Sequence, residues 1–329
     1  MLYVTTHSRQ DAYPALRTLI DDTGPDGGAY MPLRLLPLPA AQVEALPGKS
    51  FGAGMALVLN TLFSARMNEW DVEFTLGRSP VQVHGMQYRV LLAELWHNPE
   101  RDFCQMVRCL CARMLGRDGI GDTAAQWAVT AVRIGALFGV YAMAGRPGLW
   151  DKEHPVDAAL PEGNFSLPCA VWYAREMGLP VGKIVCGCPD SGGIWELLRH
   201  GAFHPARWAE GPERTEWLQS VLCGCFGWPE AERFREAMEK DKLYCLGPEQ
   251  TDLLQACFYP AAVSERRVRD ILSRPPNGGE GRLDAESARS YGAIQDYRAI
   301  TAKNAPALIL AERPGERRRA PGGSGDKKD

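Results

Sequence analysis

A chain of 329 residues with 45% hydrophobic content can bury one large core or two modest ones and is not compositionally disordered. Its net charge of −3 and pI near 6.1 give no electrostatic ground for a nucleic-acid or anionic-membrane partner. No basic segment followed by an apolar run opens the sequence, and its apolar stretches are expected to break before membrane-spanning length, so a soluble cytoplasmic protein is expected. Leu2 to Thr6, β-branched and aromatic, reads as an opening strand, and Asp11 to Asp21 as a helix. Thr23-Gly24-Pro25-Asp26-Gly27-Gly28-Ala29-Tyr30-Met31-Pro32 is a turn cluster in which glycines supply positive φ and prolines stop regular structure. Ala40 to Leu46 and Gly52 to Met67 follow as helices, and Phe74, Val81, Val83 and Tyr88 as short strands.

Leu91 to Trp96 is a buried-strand pattern that breaks at His97-Asn98-Pro99, where proline disfavours helix in the residue before it. A helix then carries Phe103, Val107, Leu110 and Met114 on one stripe, with Arg101, Gln105, Arg108 and Arg113 elsewhere. Gly121-Asp122-Thr123 precedes the apolar helix Gln126 to Ala144, and Asp122 or Thr123 can cap it. Gly145 to Glu162 reads as a loop leading to Gly163-Asn164-Phe165-Ser166, a helix over Ala170 to Met177 and a strand from Lys183. Further helices are expected in Ser191 to Phe203, Pro212 to Phe226, Pro229 to Lys240, Asp252 to Phe258 and Ser264 to Leu272, the last with a solvated arginine face. Asp284 to Leu310 reads as helix then strand, and residues 312–329, rich in Gly, Pro and charge, as a disordered tail.

Ten cysteines in a chain of this size imply reduced thiols. Three C-x-C pairs, Cys109/Cys111, Cys186/Cys188 and Cys223/Cys225, lack the C-x₂₋₄-C spacing of zinc sites. Their members are expected to diverge on a helix or strand and to act as small buried hydrophobes, so no metal is expected.

Several of these pieces, in this order, resemble threonine synthase, a pyridoxal-phosphate enzyme of fold type II. Tyr3-Val4-Thr5-Thr6 with the Pro25-Asp26-Gly27-Gly28 loop is similar to the family's Y-x-S-T strand and P-D-G-G-L-Y-x-P loop. Glu94-Leu95-Trp96-His97-Asn98-Pro99 through Asp102-Phe103-Cys104 resembles E-L-F-H-G-P-T-x-A-F-K-D-F, and Gln126 to Ala144 resembles N-W-A-R-I-x-x-Q-x-x-Y-Y-F. Gly163-Asn164-Phe165-Ser166, the paired aromatics and Met177-Gly178-Leu179-Pro180 resemble the G-N-F-G-N phosphate loop, its helix and the M-G-L-P turn. The resemblance implies an α/β fold whose sheet includes Leu91 to Trp96, Lys183 to Gly187 and Ala307 to Leu310. It also implies a small cofactor-closing domain that is largely truncated, because the lysine helix runs almost directly into the Gln126 helix. Domain limits are expected at 1–116 for the N-terminal region with the altered helix and 117–311 for the rest of the core.

The departures fall on the chemistry. The family lysine that forms the imine with the cofactor and moves protons is Cys104 here, and a thiol has no nitrogen with which to form an imine. Gly121-Asp122-Thr123 is either a vestige of the family's S-G-D-T-G loop or only a cap. In the phosphate loop Gly163 and Asn164 remain, Ser166 and Leu167 replace Gly and Asn, and Pro168 lacks an amide hydrogen. The hydroxyl residues implied beside the pyridine nitrogen are Leu310 and Ala311. A degenerate, non-catalytic relative without bound cofactor is therefore expected, with a small anion or a protein as partner. Two alternatives stay open: an active threonine synthase-like lyase acting on O-phosphohomoserine, or changed chemistry with Cys104 as a nucleophile beside His97, its thiol pKa lowered by that base and by Arg101 or Arg108. The bland reading of Cys104 is a buried small hydrophobe.

Overall fold

The computed structural model describes residues 1–77, 81–95, 102–119, 124–163, 165–189, 192–207, 215–276 and 283–313. Strands β1 (Leu2–Thr5), β2 (Tyr13–Pro14) and β3 (Tyr30–Pro32) form a small antiparallel sheet in the order β2-β1-β3. The segment expected as a helix over Asp11 to Asp21 is β2 followed by a 3₁₀ turn at Ala15–Leu19, because Pro14 holds an extended ψ and the stretch is too short to propagate an α-helix. Helices α1 (Ala40–Glu44), α2 (Phe51–Phe63) and α3 (Glu69–Leu76) come next. Phe74 is therefore helical and 87% exposed rather than in a strand, since the Asn68–Asp71 capping box starts a helix ahead of it.

The principal sheet takes β4 (Gln82–Met86), β5 (Val90–Glu94), β6 (Val156–Pro161), β7 (Val181–Cys188), β10 (Phe258–Ala262) and β11 (Ala307–Ala311), in the order β10-β7-β6-β11-β5-β4. Pairing is parallel except for β4 against β5. Tyr88, expected in a strand, lies in the turn between these two at φ 60°. The three sheet segments expected from sequence are all present, with Trp96 outside the described residues. The expected loop over Gly145 to Glu162 holds β6, whose Val156-Asp157-Ala158-Ala159-Leu160 is buried. Phe258, expected to end a helix, opens β10 instead.

Intervening elements are α4 (Phe103–Leu115), α5 (Gln126–Ala144), α6 (Ser166–Glu176), α7 (Gly193–His200), α8 (Glu216–Phe226), α9 (Trp228–Glu239), α10 (Pro248–Cys257), α11 (Glu265–Ser273) and α12 (Ala285–Thr301). A two-stranded sheet joins β8 (Ala202–Phe203) to β9 (Tyr244–Cys245). Side-chain alternation divides the strands of the principal sheet between two cores. Leu308, Leu310, Ile184 and Cys186 face the core that contains α2, α4, α5 and α6, while Ile309, Val185 and Leu92 face α11 and α12. Helix α5 reaches membrane-spanning length with Arg133 as its one charge, correcting the expectation of earlier interruption. It is a core helix: 78% of its apolar window is buried inside the protein.

Only ten residues separate the end of α4 at Leu115 from the start of α5 at Gln126. Among the described residues, the sheets outside the principal one are the antiparallel three-stranded and two-stranded sheets, and no second parallel sheet is present.

Candidate functional site

Parallel α/β sheets present their loops and ligand sites at the carboxyl ends of their strands. Here the neighbouring strands β6 and β11 end at a pocket of about 240 Å³, lined by Arg133, Glu162, Ser166, Asp284, Glu286 and Glu312 among others. Gly163 and Ser166 of the expected phosphate loop line it, as does Leu310 of the implied nitrogen site. A larger cavity, about 480 Å³, lies between β1, β3, α6, α8 and α9 and contains no residue singled out from the sequence as catalytic or cofactor-binding.

Phe165 precedes α6 in the left-handed region at φ 64°, uncommon for an aromatic residue. It is fully buried against Phe258, with ring centroids 5.4 Å apart, so packing holds the loop in this conformation. No described side chain caps α6, and Pro168 in its first turn has no N–H to offer an anion. Asn164 lies outside the described residues, as do His97 and the triplet Gly121, Asp122 and Thr123.

Arg133, from the middle of α5, dominates the geometry. Its Nε donates to Glu312 Oε1 at 2.6 Å, its Nη2 to Oε2 at 2.7 Å and its Nη1 to Ser166 Oγ at 2.8 Å. The guanidinium also lies 5.6 Å from the centroid of the Phe103 ring. The Arg133 and Glu312 side chains are only 14% and 20% exposed. Burial opposes charge on Arg133, but the Glu312 carboxylate overrides it, and the guanidinium pKa is raised. Sequence reasoning missed this pair because its members are 179 residues apart and Glu312 falls in the stretch read as a disordered tail. The one signal was an arginine on an otherwise apolar helix, since such a charge requires a buried partner.

Cys104 is exposed, which corrects the reading of it as a buried hydrophobe. The buried stripe of α4 is Phe103, Met106, Val107, Leu110 and Cys111, and Cys104 falls beside it in the first turn, next to the cap made by Asp102. Partial burial and the charges of Asp102 and Glu312 raise its thiol pKa, against the opposing effect of Arg133 and Arg313. That field disfavours a thiolate, the reverse of what a cysteine nucleophile needs. Of the C-x-C pairs, Cys186 and Cys188 do not diverge: a strand's period of two puts both on the same buried face of β7. Among the described residues no group of three His, Cys, Asp or Glu side chains is placed to hold a metal.

The residues present do not fit pyridoxal phosphate. No described residue lining the pocket is a lysine. Lys183, near the amino end of β7 and so at the other end of the sheet, has its Nζ committed to the carbonyls of Gln255 and Ala256 at 2.8 and 2.7 Å. Even with Glu162 protonated, the carboxylates of Asp284, Glu286 and Glu312 outnumber the guanidinium groups of Arg133 and Arg313, so a phosphate dianion would meet net negative charge. Leu310 and Ala311 have no hydroxyl for a pyridine nitrogen.

This arrangement, a largely parallel sheet with a glycine-containing loop and helix N-terminus at the carboxyl end of β6, is the architecture of fold type II pyridoxal-phosphate enzymes. Within that class the chain has the threonine synthase fold. It superposes on pyridoxal-phosphate-bound threonine synthase from Brucella melitensis with a TM-score of 0.74 at 16% identity, covering 95% of this chain and 88% of that one. The yeast enzyme gives a TM-score of 0.76 at 13% identity, covering 94% and 87%. The Escherichia coli enzyme gives 0.70 at 13% identity, covering 95% and 89%. In sequence, 80 residues are 32% identical to threonine synthase of Methylobacillus glycogenes, a stretch that is 24% of this chain and 16% of that enzyme's length. No protein-family profile matches the sequence.

Proposed function

We propose that this chain is a non-catalytic threonine synthase-like protein, soluble and cytoplasmic, whose role is to bind a partner rather than to turn over a substrate. The observation that carries this reading is Cys104 at the position of the family lysine, beside a pocket already crossed by the Arg133–Glu312 ion pair. Catalysis with this cofactor depends on fixing its reactive carbon, phosphate and ring nitrogen together, and each corresponding position is altered here. The protein partner is expected to use the surface left open by the shortened connection between α4 and α5.

The test is to mix the purified protein with pyridoxal phosphate and record its absorbance, reduce with borohydride, map any labelled lysine, and assay threonine formation from O-phosphohomoserine. No mapped aldimine and no threonine are expected. In the same assay Cys104→Lys is expected to stay inactive, because the phosphate loop and nitrogen partner remain altered. A lysine-mapped aldimine in the natural chain, or turnover by the single variant, refutes the reading.

The exposure of Cys104 supports a second reading, an enzyme of changed chemistry that uses the thiol. Titration with a thiol reagent across pH separates the two. A nucleophile gives rapid modification well below the ordinary thiol pKa, whereas the raised pKa of Cys104 leads to slow modification at neutral pH.

A further inference from the structure

We infer that Glu312 is the resident anion of this site: an internal carboxylate holds the arginine and serine that a phosphate-bearing ligand would otherwise engage, and it excludes such ligands. The pocket brings together the amino end of α6, the Ser166 hydroxyl and the Arg133 guanidinium, three groups that favour an anion. Each guanidinium nitrogen of Arg133 is committed, two of them in a parallel fork to the Glu312 carboxylate. That geometry matches the way arginine binds a phosphate through two oxygens, with a side chain in the ligand's place.

The sheet fixes Glu312 there. It directly follows β11, whose last residue Ala311 is 1% exposed and accepts a hydrogen bond from the Leu95 amide at 2.8 Å. A free anion therefore competes with a carboxylate tethered at high effective concentration. It must also enter past Asp284 and Glu286, which line the same pocket. Specificity is built here by repulsion as well as by occupation. The pocket is thus expected to refuse the small anion that the sequence suggested.

The experiment measures inorganic phosphate and pyridoxine 5′-phosphate by calorimetry and by thermal shift against the full-length chain and its variants. Neither probe contains an aldehyde, so the result is independent of imine chemistry, and the non-catalytic reading stands or falls separately on the aldimine and threonine assays. The natural chain should show no saturable binding up to 10 mM, a concentration set to be about ten times a typical weak anion affinity. Glu312→Gln should bind phosphate at least ten-fold more tightly, and adding Arg133→Gln should abolish that gain. If Glu312→Gln is poorly folded, phosphate should restore its melting transition, and the charge-free pair Arg133→Met with Glu312→Met should fold without responding to phosphate. Saturable binding by the natural chain within that range overturns the inference. So does a folded Glu312→Gln protein with no gain, or an unfolded one that phosphate does not rescue.

Discussion

Glu162 stands at the end of β6 with 7% of its surface exposed and no described hydrogen-bond partner for Oε2. Burial pushes its pKa up to about 7, against the opposing effects of Cys188, the Ile194 amide and Arg289. The folded protein therefore holds a proton there between pH 4.5 and about 7 that the unfolded chain has released. This contribution to stability is fully present below the unfolded pKa and is lost as pH rises through the folded one, a change on the order of 3 kcal/mol. Denaturant midpoints of the natural chain should fall across that window, and Glu162→Gln should flatten the fall. An unchanged slope in the variant would move its cause to another group. Nothing in the sequence marked Glu162, because the loop pattern over Gly145 to Glu162 hid the strand that buries it. Cys104 shows the other side of legibility. Its identity and the lost imine chemistry were readable from one position, whereas its exposure depends on which side of α4 faces the core.

Helices show where a pattern suffices. The apolar periodicity of α2 and α4 and the nearly unbroken apolar run of α5 located these helices, and burial of Leu59, Leu110 and Leu137 follows from them. What the pattern did not disclose is the closeness of α2 to α5. A Cβ at Gly54 would lie 2.3 Å from the Phe138 carbonyl oxygen, and one at Gly139 would lie 2.5 Å from the Phe51 ring. The Gly54 contact is backbone against backbone, so no rotamer can relieve it. Gly54→Ala should therefore destabilise by about 1–3 kcal/mol through overpacking. Gly119→Ala, with no atom of the described residues within 4 Å of the added carbon, should change stability by less than about 0.5 kcal/mol. Chemical denaturation of the two variants checks the contrast, and equal effects would mean that the helices can separate at no cost. The missed strands have a physical reason as well. Buried parallel strands show no alternation, so Val156 to Leu160 does not stand out from the Pro-, Gly- and charge-rich stretch around it, and Pro260 speaks against a strand unless it lies at an edge, where β10 in fact sits.

At the scale of the molecule, the order of the family-like segments was legible, but the order of strands was not, since parallel neighbours are joined through long crossovers. The last described strand lies in the interior of the sheet: β11 pairs with β6 on one side and with β5 on the other. Residues 90–94 and 156–161 thus meet across a strand that begins at Ala307, and Glu312 just beyond it supplies the partner of Arg133. Such non-local pairing makes the sheet depend on the last described strand and slows its assembly. A chain stopped after Arg313 keeps both features, and its melting temperature should stay within about 2 °C of the full chain, the shift expected from well under 1 kcal/mol. A chain stopped after Ala305 loses β11 and leaves Arg133 buried without its carboxylate, which by itself costs about 3–5 kcal/mol. Added to two lost strand interfaces, this is enough to abolish a cooperative transition in a protein of ordinary marginal stability. Thermal melts followed by near-ultraviolet circular dichroism distinguish the two truncations. A sharp transition in the shorter chain would mean that β5 and β6 pair without β11, and that the middle of this sheet is more adaptable than its register implies.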